Sequence, residues 1–318
     1  MINSGHTTYP FRNAADTRSK LMLMRRFLLV PVVLLMLLLF TVNGDVLAQD
    51  DGSQVREDPA RQVHWAMGSF FGTGWYQVDE NRTVYLLRIV PPRQTLRESS
   101  IDENGNRRLG IEFQYPFSLG LQKLDFLQDT IDSDNFATVS FTPGVQVEIP
   151  VTEKWYLRPY AHLGWGTELN SSESAWIYAG GIKSRYRLGN GKIKWSLLNA
   201  IHYAGYSPDF DNSGEYGSFM TGLEFNQPLK RFKLGGDDTL LNWHVTYNYL
   251  FDNLDFYVDE NQIESINDTW ELGLALGKGK KKLKIWFMSF EHVGLSFKQS
   301  SNGNYRAISL NTRSPFTY

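Results

Sequence analysis

The sequence predicts an all-β protein: a transmembrane, antiparallel, up-and-down β-barrel of about 12 strands. Three observations predict this fold. Segments with a period of two, apolar on one face and polar on the other, recur along most of the chain. Tryptophan stands at both ends of the apolar face where the alternation is clearest. The one long apolar run lies near the N-terminus, so no later segment has the length of a membrane-spanning helix.

The composition of the 318-residue chain narrows the classes of function. The formal net charge is -2, so no basic excess points to nucleic acid as a partner. The chain has no cysteine, which excludes disulfides, thiolate metal sites and a cysteine nucleophile. Its mean hydropathy is that of a soluble protein. That average does not argue against a barrel, because each strand of a membrane barrel alternates between lipid-facing and lumen-facing residues.

The N-terminal region has the pattern of an extension followed by a secretory signal peptide. Arg25 and Arg26 precede the apolar run Phe27–Val42, and Val46-Leu47-Ala48 ends in a small residue at the expected cleavage point. The run is shorter than the roughly 20 residues that a transmembrane helix needs, which disfavours a helical anchor. The expected division of the chain is an extension and cleaved signal peptide at 1–48, a short lead at 49–62 and an outer-membrane barrel at 63–318.

The clearest strand lies at Lys154–Gly166. Its odd positions are nearly all apolar and run from Trp155 to Trp165, whereas its even positions are mostly polar. With a rise of about 3.3 Å per residue and a tilt near 40°, this stretch spans roughly 25 Å, the height of the apolar band of an outer-membrane barrel. We therefore interpret the two tryptophans as members of aromatic girdles. By the same parity, the predicted girdle residues are Trp155, Trp165, Trp176, Trp195 and Trp243.

The same alternation recurs in the segments 139–149, 176–186, 193–203, 241–249 and 270–276. Short connections such as Gly189-Asn190-Gly191 separate some of these segments, and longer polar loops such as Asp252–Asp268 separate others. Short turns at one end and long loops at the other are typical of bacterial barrels. The longer loops are acidic, and the short turns, including Lys230–Lys233, are basic. The acidic loops either hold cations that bridge lipopolysaccharide or simply keep the surface solvated.

The chain ends in an alternating strand whose last aromatic residues have a specific interpretation. We predict an outer face of Ile308, Leu310, Thr312, Ser314, Phe316 and Tyr318. A C-terminal aromatic residue on such a strand is similar to the signal that the outer-membrane barrel assembly machinery reads. Phe316 and Tyr318 are therefore the predicted assembly signal, and the expected partners are this machinery, outer-membrane lipid and lipopolysaccharide.

Two segments resemble a known family. The run Val147–Tyr160 resembles autotransporter translocator domains, which are twelve-stranded barrels. The closing segments Arg306–Leu310 and Ser314–Phe316 are similar to the solitary outer-membrane autotransporter-like β-domains. The resemblance covers about residues 60–318 and implies the outer membrane of a Gram-negative bacterium. Because only about residues 49–62 separate the expected signal from the first strand, we expect no passenger, and the family's translocation activity is not carried over. No catalytic residue or cofactor comes with the resemblance.

Charged residues also occupy the predicted lumen face. Glu148, Arg158 and Arg185 lie on three consecutive predicted strands and could pair across the lumen wall. Such pairs would stabilise a narrow, mostly closed barrel. The alternative is a charge filter that lines an open pore.

Three histidines are candidate metal ligands. His162, His202 and His244 all face inward by parity, and three histidines are able to bind Zn²⁺ when their rings converge. They stand at different heights on alternating strands, so we expect no metal site and no cofactor.

An enzymatic alternative rests on groups near the mouth of the barrel. His202 with Ser207 is the nearest candidate for a hydrolase dyad, and Asp209 and Asp211 in the following loop could orient a water molecule. A hydrated surface loop explains the same residues without catalysis. The sequence therefore predicts a non-enzymatic barrel, structural or weakly pore-forming, with a small-solute channel or an outer-membrane hydrolase as alternatives.

Overall fold

The computed structural model describes residues 71–78, 82–90, 94–124, 135–169, 174–189, 191, 193–208, 214–257, 263–278, 282–285 and 288–315. The predicted signal peptide, the lead at 49–62, Asp209, Asp211, Phe316 and Tyr318 lie outside these ranges. Within them, no helix is long and apolar enough to cross a membrane.

The described ranges form 19 β-strands. They are β1 (Gly74–Val78), β2 (Arg82–Ile89), β3 (Gln94–Arg97), β4 (Ser100–Ile101), β5 (Arg107–Arg108), β6 (Gly110–Gln114), β7 (Phe117–Leu124), β8 (Asn135–Phe141), β9 (Gly144–Pro150), β10 (Trp155–Glu168), β11 (Ser174–Arg187), β12 (Lys194–Pro208), β13 (Gly214–Leu234), β14 (Asp237–Tyr257), β15 (Ile263–Gly277), β16 (Leu283–Ile285), β17 (Met288–Phe290), β18 (His292–Gln299) and β19 (Tyr305–Asn311).

These strands close into an antiparallel barrel with twelve strand positions, as the sequence predicts. The ring runs β1, β2, β7, β8, β10, β11, β12, β13, β14, β15, β18 and β19, and β19 pairs with β1 to close it. Every pairing around the ring is antiparallel between neighbours in the chain, which is the up-and-down topology. The strands β4 with β5 and β16 with β17 form two small separate hairpins.

Two prolines divide strand positions without changing their register. Pro116 separates β6 from β7, and Pro143 separates β8 from β9. The pairs Phe141–Trp165 and Gly144–His162 keep the same register along β10, so β8 and β9 act as one strand of the ring. Proline has no backbone N–H to donate to the ladder, so the ladder is interrupted there while the chain continues in the same direction.

Two hairpins are longer than the sequence predicts. Lys230–Lys233 were predicted to lie in a short turn, but they belong to β13, and the turn to β14 is Gly235-Gly236, both with positive φ. Two glycines with positive φ form a tight hairpin turn that fits the twist of its strands. At the other end, β14 continues to Tyr257 and β15 begins at Ile263, so most of the predicted loop at 252–268 is strand, with a register shift after Tyr249.

The two faces of the wall have opposite chemistry. Large apolar side chains are exposed on the outside, including Tyr85, Leu121, Leu163, Ile201, Phe219, Leu274, Leu295 and Ile308. The buried inside is rich in polar and charged side chains, including Gln146, Lys183, Ser196, Glu224, Asn242, Thr246, Glu271 and Lys298. This distribution is the reverse of that in a water-soluble protein, in which apolar side chains fill the interior.

Candidate functional site

The lumen at mid-height is the candidate site, because side chains from most of the ring meet there. A space of about 30 Å³ is bordered by residues of β2, β10, β11, β12, β13, β14, β15 and β18. Arg88 of β2 and Lys298 of β18 reach it from one side, and His162 of β10 and His202 of β12 reach it from the other. Such a space holds about one water molecule. Side chains of the wall therefore cross the lumen at this depth.

A hydrogen-bonded aromatic group forms one part of this crossing. The His202 ring lies between the hydroxyls of Tyr160 and Tyr216, and its Nε2 is 2.8 Å from the Tyr216 oxygen. The Lys183 ammonium lies 4.6 Å from the centre of the Tyr160 ring, a cation–π contact. These contacts restrain side chains of four neighbouring strands.

Carboxylates in the lumen have cationic partners. Glu224 of β13 forms an ion pair with Arg185 at 2.7 Å, and it accepts a hydrogen bond from Asn242 Nδ2 at 3.0 Å. Glu271 of β15 lies 3.2 Å from both Lys298 Nζ and His244 Nε2. Pairing offsets the cost of removing these charges from water. Each pair therefore stabilises the barrel only while both of its partners are present.

The three residues predicted as a lumen charge network are divided between two pairs. Glu148 of β9 and Arg158 of β10 form an ion pair. Arg185 instead reaches across β12 to Glu224, and its Nε donates to Ser196 of β12 at 3.3 Å. The sequence analysis did not predict Glu224 as the partner of Arg185.

The candidate metal and hydrolase residues are engaged elsewhere or separated. His162 Nδ1 lies 2.9 Å from the Thr142 carbonyl oxygen, and His244 contacts Glu271. No group of three or more potential ligands that could hold a metal ion occurs among the described residues. His202 faces the lumen, whereas Ser207 is exposed and pairs with the outward Trp176, so the two stand on opposite faces of β12. The dyad that the sequence suggested is not formed.

The predicted girdle tryptophans all lie on the outside of the wall at two levels. Trp165 and Trp176 are paired in register on β10 and β11, at the end of the barrel that carries the connection 169–173. Trp155 lies toward the opposite end of β10, near the short turn 151–154. Trp195, Phe225 and Trp243 form a stacked row on three neighbouring strands, with Phe225 and Trp243 centroids 3.9 Å apart.

The strand ends define two ends of the barrel. The turn end carries the short connections 151–154 and 235–236, and the loop end carries 125–134, 209–213 and 258–262. A cavity of about 540 Å³ opens at the turn end, lined among others by Thr73, Val90, His244, Glu271 and Arg313. Ser314 is buried and lines this cavity, so the prediction that it continues the outer face of the last strand is wrong. The strand ends at Asn311, and the chain turns inward after it.

The chain is similar to several solved structures, and the first of them has the same architecture. The chain is similar to the translocator domain of the autotransporter NalP from Neisseria meningitidis, with a TM-score of 0.52, 11% identity, and coverage of 74% of this chain and 82% of that one. The β domain of the Bordetella autotransporter BrkA matches at a TM-score of 0.46, 8% identity, and 74% and 93% coverage. The transport unit of AIDA-I from Escherichia coli matches at 0.43, 10% identity, and 76% and 88% coverage.

The chain has the autotransporter translocator fold. No protein-family model matches it, and none of the curated proteins is similar to it. At 11% identity the likeness to the NalP domain concerns the course of the backbone, so the lumen of this translocator-type barrel has to be understood from its own side chains.

Glycines make room for lumen rings in this translocator-type barrel, a feature that the sequence analysis missed. Gly273 is paired in register with His244, and a Cβ at position 273 would overlap the His244 ring and lie 2.7 Å from Ser296 Oγ. The ring thus lies over the bare backbone of the next strand, from where it reaches Glu271. A glycine on an inward position opposite a bulky side chain is the sequence signal for such a contact.

We expect Gly273→Ala to destabilise the barrel by about 1–3 kcal/mol, because the added methyl group displaces His244 from Glu271. The matched control is Gly180→Ala on the outside of β11. An added Cβ there would lie 3.5 Å from the backbone carbonyl oxygen of Tyr160, which is an ordinary contact distance. The measurement is the temperature at which the folded, fast-migrating gel band converts to the unfolded band. Equal conversion temperatures for the two variants would contradict the close contact at position 273.

Proposed function

We propose that this protein is an integral β-barrel of the outer membrane of a Gram-negative bacterium, non-enzymatic and closed or weakly conducting. The observation that carries the proposal is the reversed distribution of side chains. The outside of the wall is apolar and bounded by tryptophans, and the inside holds paired charges. Lipid is the environment in which this arrangement is favourable, because the apolar belt is then removed from water and the polar lumen is not exposed to acyl chains.

The proposed closure rests on the mid-lumen crossing. Side chains from eight strands border a space that holds about one water molecule. Opening a path through it requires breaking contacts such as His202 with Tyr216. The absence of a passenger remains a prediction from the sequence.

The experiment that tests the location and fold is heat-modifiability of the protein in purified outer-membrane fractions. A folded barrel resists detergent without boiling and migrates differently from its boiled form. We expect two distinct positions on the gel. Recovery of the protein in the soluble fraction, with no shift on boiling, would contradict the proposal.

A small-solute channel is the second candidate, and the cavity of about 540 Å³ at the turn end favours it. We expect the purified wild-type barrel to give no steady unitary conductance in a planar bilayer, because the crossing at mid-height blocks ions. Insertion is checked separately by protease protection of barrel-loaded vesicles. Regular, long-lived conductance steps from inserted protein would contradict the closed barrel and support the channel.

The hydrolase alternative has little structural support. His202 and Ser207 point to opposite sides of β12, so the hydroxyl is not within reach of the ring. General-base activation of a serine requires a hydrogen-bond distance between the two side chains. We infer that the lumen histidines serve in packing and hydrogen bonding.

A further inference from the structure

A row of polar side chains interrupts the apolar outside of the barrel on three neighbouring strands. Ser184 of β11 is paired in register with Asn199 of β12, and Asn199 with Thr221 of β13. The parity of exposure places all three on the outer face, since the residues on either side of Asn199 in the chain, Leu198 and Ala200, are buried.

Asn199 stands near the middle of the apolar belt. It is four residues from Trp195 on the turn side and four residues from Tyr203 on the loop side, and both aromatics face outward. Four residues correspond to about 13 Å along a strand, or about 10 Å along the membrane normal at a tilt near 40°. In a band about 25 Å high, the amide therefore lies among acyl chains, far from the headgroups on either side.

Hydrogen bonds between side chains of the same molecule satisfy some of the polar groups in this row. Ser184 Oγ accepts a hydrogen bond from Trp155 Nε1 at 2.9 Å, and Asn199 Oδ1 accepts one from Thr221 Oγ1 at 2.9 Å. The side-chain NH₂ group of Asn199 donates to no other residue within the ranges that the structure describes. Acyl chains offer no acceptor, so these donors are unfavourable at this depth unless a neighbouring molecule supplies one.

We propose that the face around Asn199 is the interface of a homodimer in the membrane; this rests on the lipid-facing orientation proposed above. All copies of a membrane protein insert in the same direction, so a two-fold axis along the membrane normal brings each residue opposite its own copy at the same depth. An amide both donates and accepts, and Asn199 is therefore complementary to the Asn199 of a second copy. Lipids and most partner surfaces lack an acceptor at this depth.

The surroundings of Asn199 are suited to such a contact. Ile182, Ile201 and Phe219 are exposed and paired in one row on the loop side of Asn199, and this row provides apolar packing beside the amide. Gly180, two positions from Ile182 on β11, carries no side chain, and an added Cβ there would lie 3.5 Å from the Tyr160 backbone oxygen. Small and polar residues within an apolar surface favour close association of membrane segments, since they allow near approach and hydrogen bonding between them.

The test is disulfide crosslinking of the full chain in native membranes. The protein has no cysteine, so single cysteines can be introduced without removing any residue of that type. Leu197→Cys and Ile201→Cys flank Asn199, and Ile308→Cys on β19 is the matched control on the far side of the ring. Ile201 and Ile308 are 49% and 45% exposed, so random collisions should crosslink them equally. Copper phenanthroline serves as the oxidant.

We expect at least one of the two flanking cysteines to give about tenfold more dimer than Ile308→Cys. Adding Asn199→Leu should reduce this crosslinking about tenfold, and Asn199→Gln, which keeps the amide, should retain it. Crosslinking equal to the control, no dimer at either flanking position, or a dimer unaffected by Asn199→Leu would each overturn the interface. Heat-modifiability of every variant separates these results from failure of the barrel itself, since a monomeric barrel still shifts on boiling.

Discussion

Replacing Glu224 by glutamine is expected to lower the free energy of unfolding of the barrel by about 2–4 kcal/mol. The Glu224 side chain is 2% exposed, and it pairs with Arg185, whose side chain is 22% exposed. Glutamine keeps the shape and the oxygen that accepts the hydrogen bond from Asn242. It removes the negative charge, which leaves the Arg185 guanidinium in the lumen without this partner. The loss is read from urea unfolding in detergent micelles or vesicles.

Two further variants show whether the charge pair is the cause. The double change Glu224→Leu with Arg185→Met removes both charges, so it should recover most of the lost stability. The exposed pair of Lys233 and Asp238 provides the second comparison, because these side chains are 53% and 81% exposed. Asp238→Asn should change stability by less than about 0.5 kcal/mol. If the Glu224 variant unfolds like the wild type, then the lumen ion pairs do not contribute to holding the barrel together.

Parity in the sequence was sufficient to predict a barrel of about 12 strands and the two faces of its most regular strands. One residue in two faces outward on these strands, as Trp155, Trp165 and Trp176 do, and the residues between them face the lumen. The pair of Glu148 and Arg158 was also within reach of sequence reasoning, because the short turn at 151–154 fixes the register of its hairpin.

The height of a residue along the barrel axis was not predictable from parity. Arg185 and Glu224 meet across β12, so their contact depends on the stagger of three strands at once, which no single turn determines. The lengths of β13 and β14 were missed for a related reason. At the ends of these strands, in Leu229–Leu234 and Asp252–Tyr257, the sequence no longer alternates regularly between apolar and polar residues, so a period of two does not mark a strand there.

Asn199 shows that an exception to the pattern carries information. Its position is outward by the same parity that describes its neighbours, yet its side chain is polar. A sequence reader who counts only the matches to an alternating pattern passes over such a residue. In the structure it lies on the outer wall between Ser184 and Thr221 and is hydrogen-bonded to Thr221. Departures from alternation on the lipid face deserve the same scrutiny as buried charges in a soluble core, because both are costly without partners.

Leu272→Arg is expected to destabilise the barrel by about 2–4 kcal/mol when it is folded in a bilayer. Leu272 lies on the outside of β15, two residues farther from the turn end than Leu274, the partner of the girdle residue Trp243. It is 58% exposed, with Val245 and Phe297 as its neighbours in register. If the outer wall faces lipid, then the guanidinium is forced into hydrocarbon. If the protein were a soluble β-sandwich, then the same exposed position would accept arginine with a change within about 0.5 kcal/mol.

The control for this change is Phe232→Arg, because Phe232 is 50% exposed but lies in β13 close to the Gly235-Gly236 turn, beyond the belt. Arginine there reaches water or headgroups, so we expect little loss of stability. Unfolding of both variants in urea, from vesicles of the same lipid, gives the comparison. A large loss at position 272 and a small one at 232 means that exposure to lipid, and not exposure as such, determines the cost. Equal and small losses would mean that the outer wall meets water, and the membrane location would then be wrong.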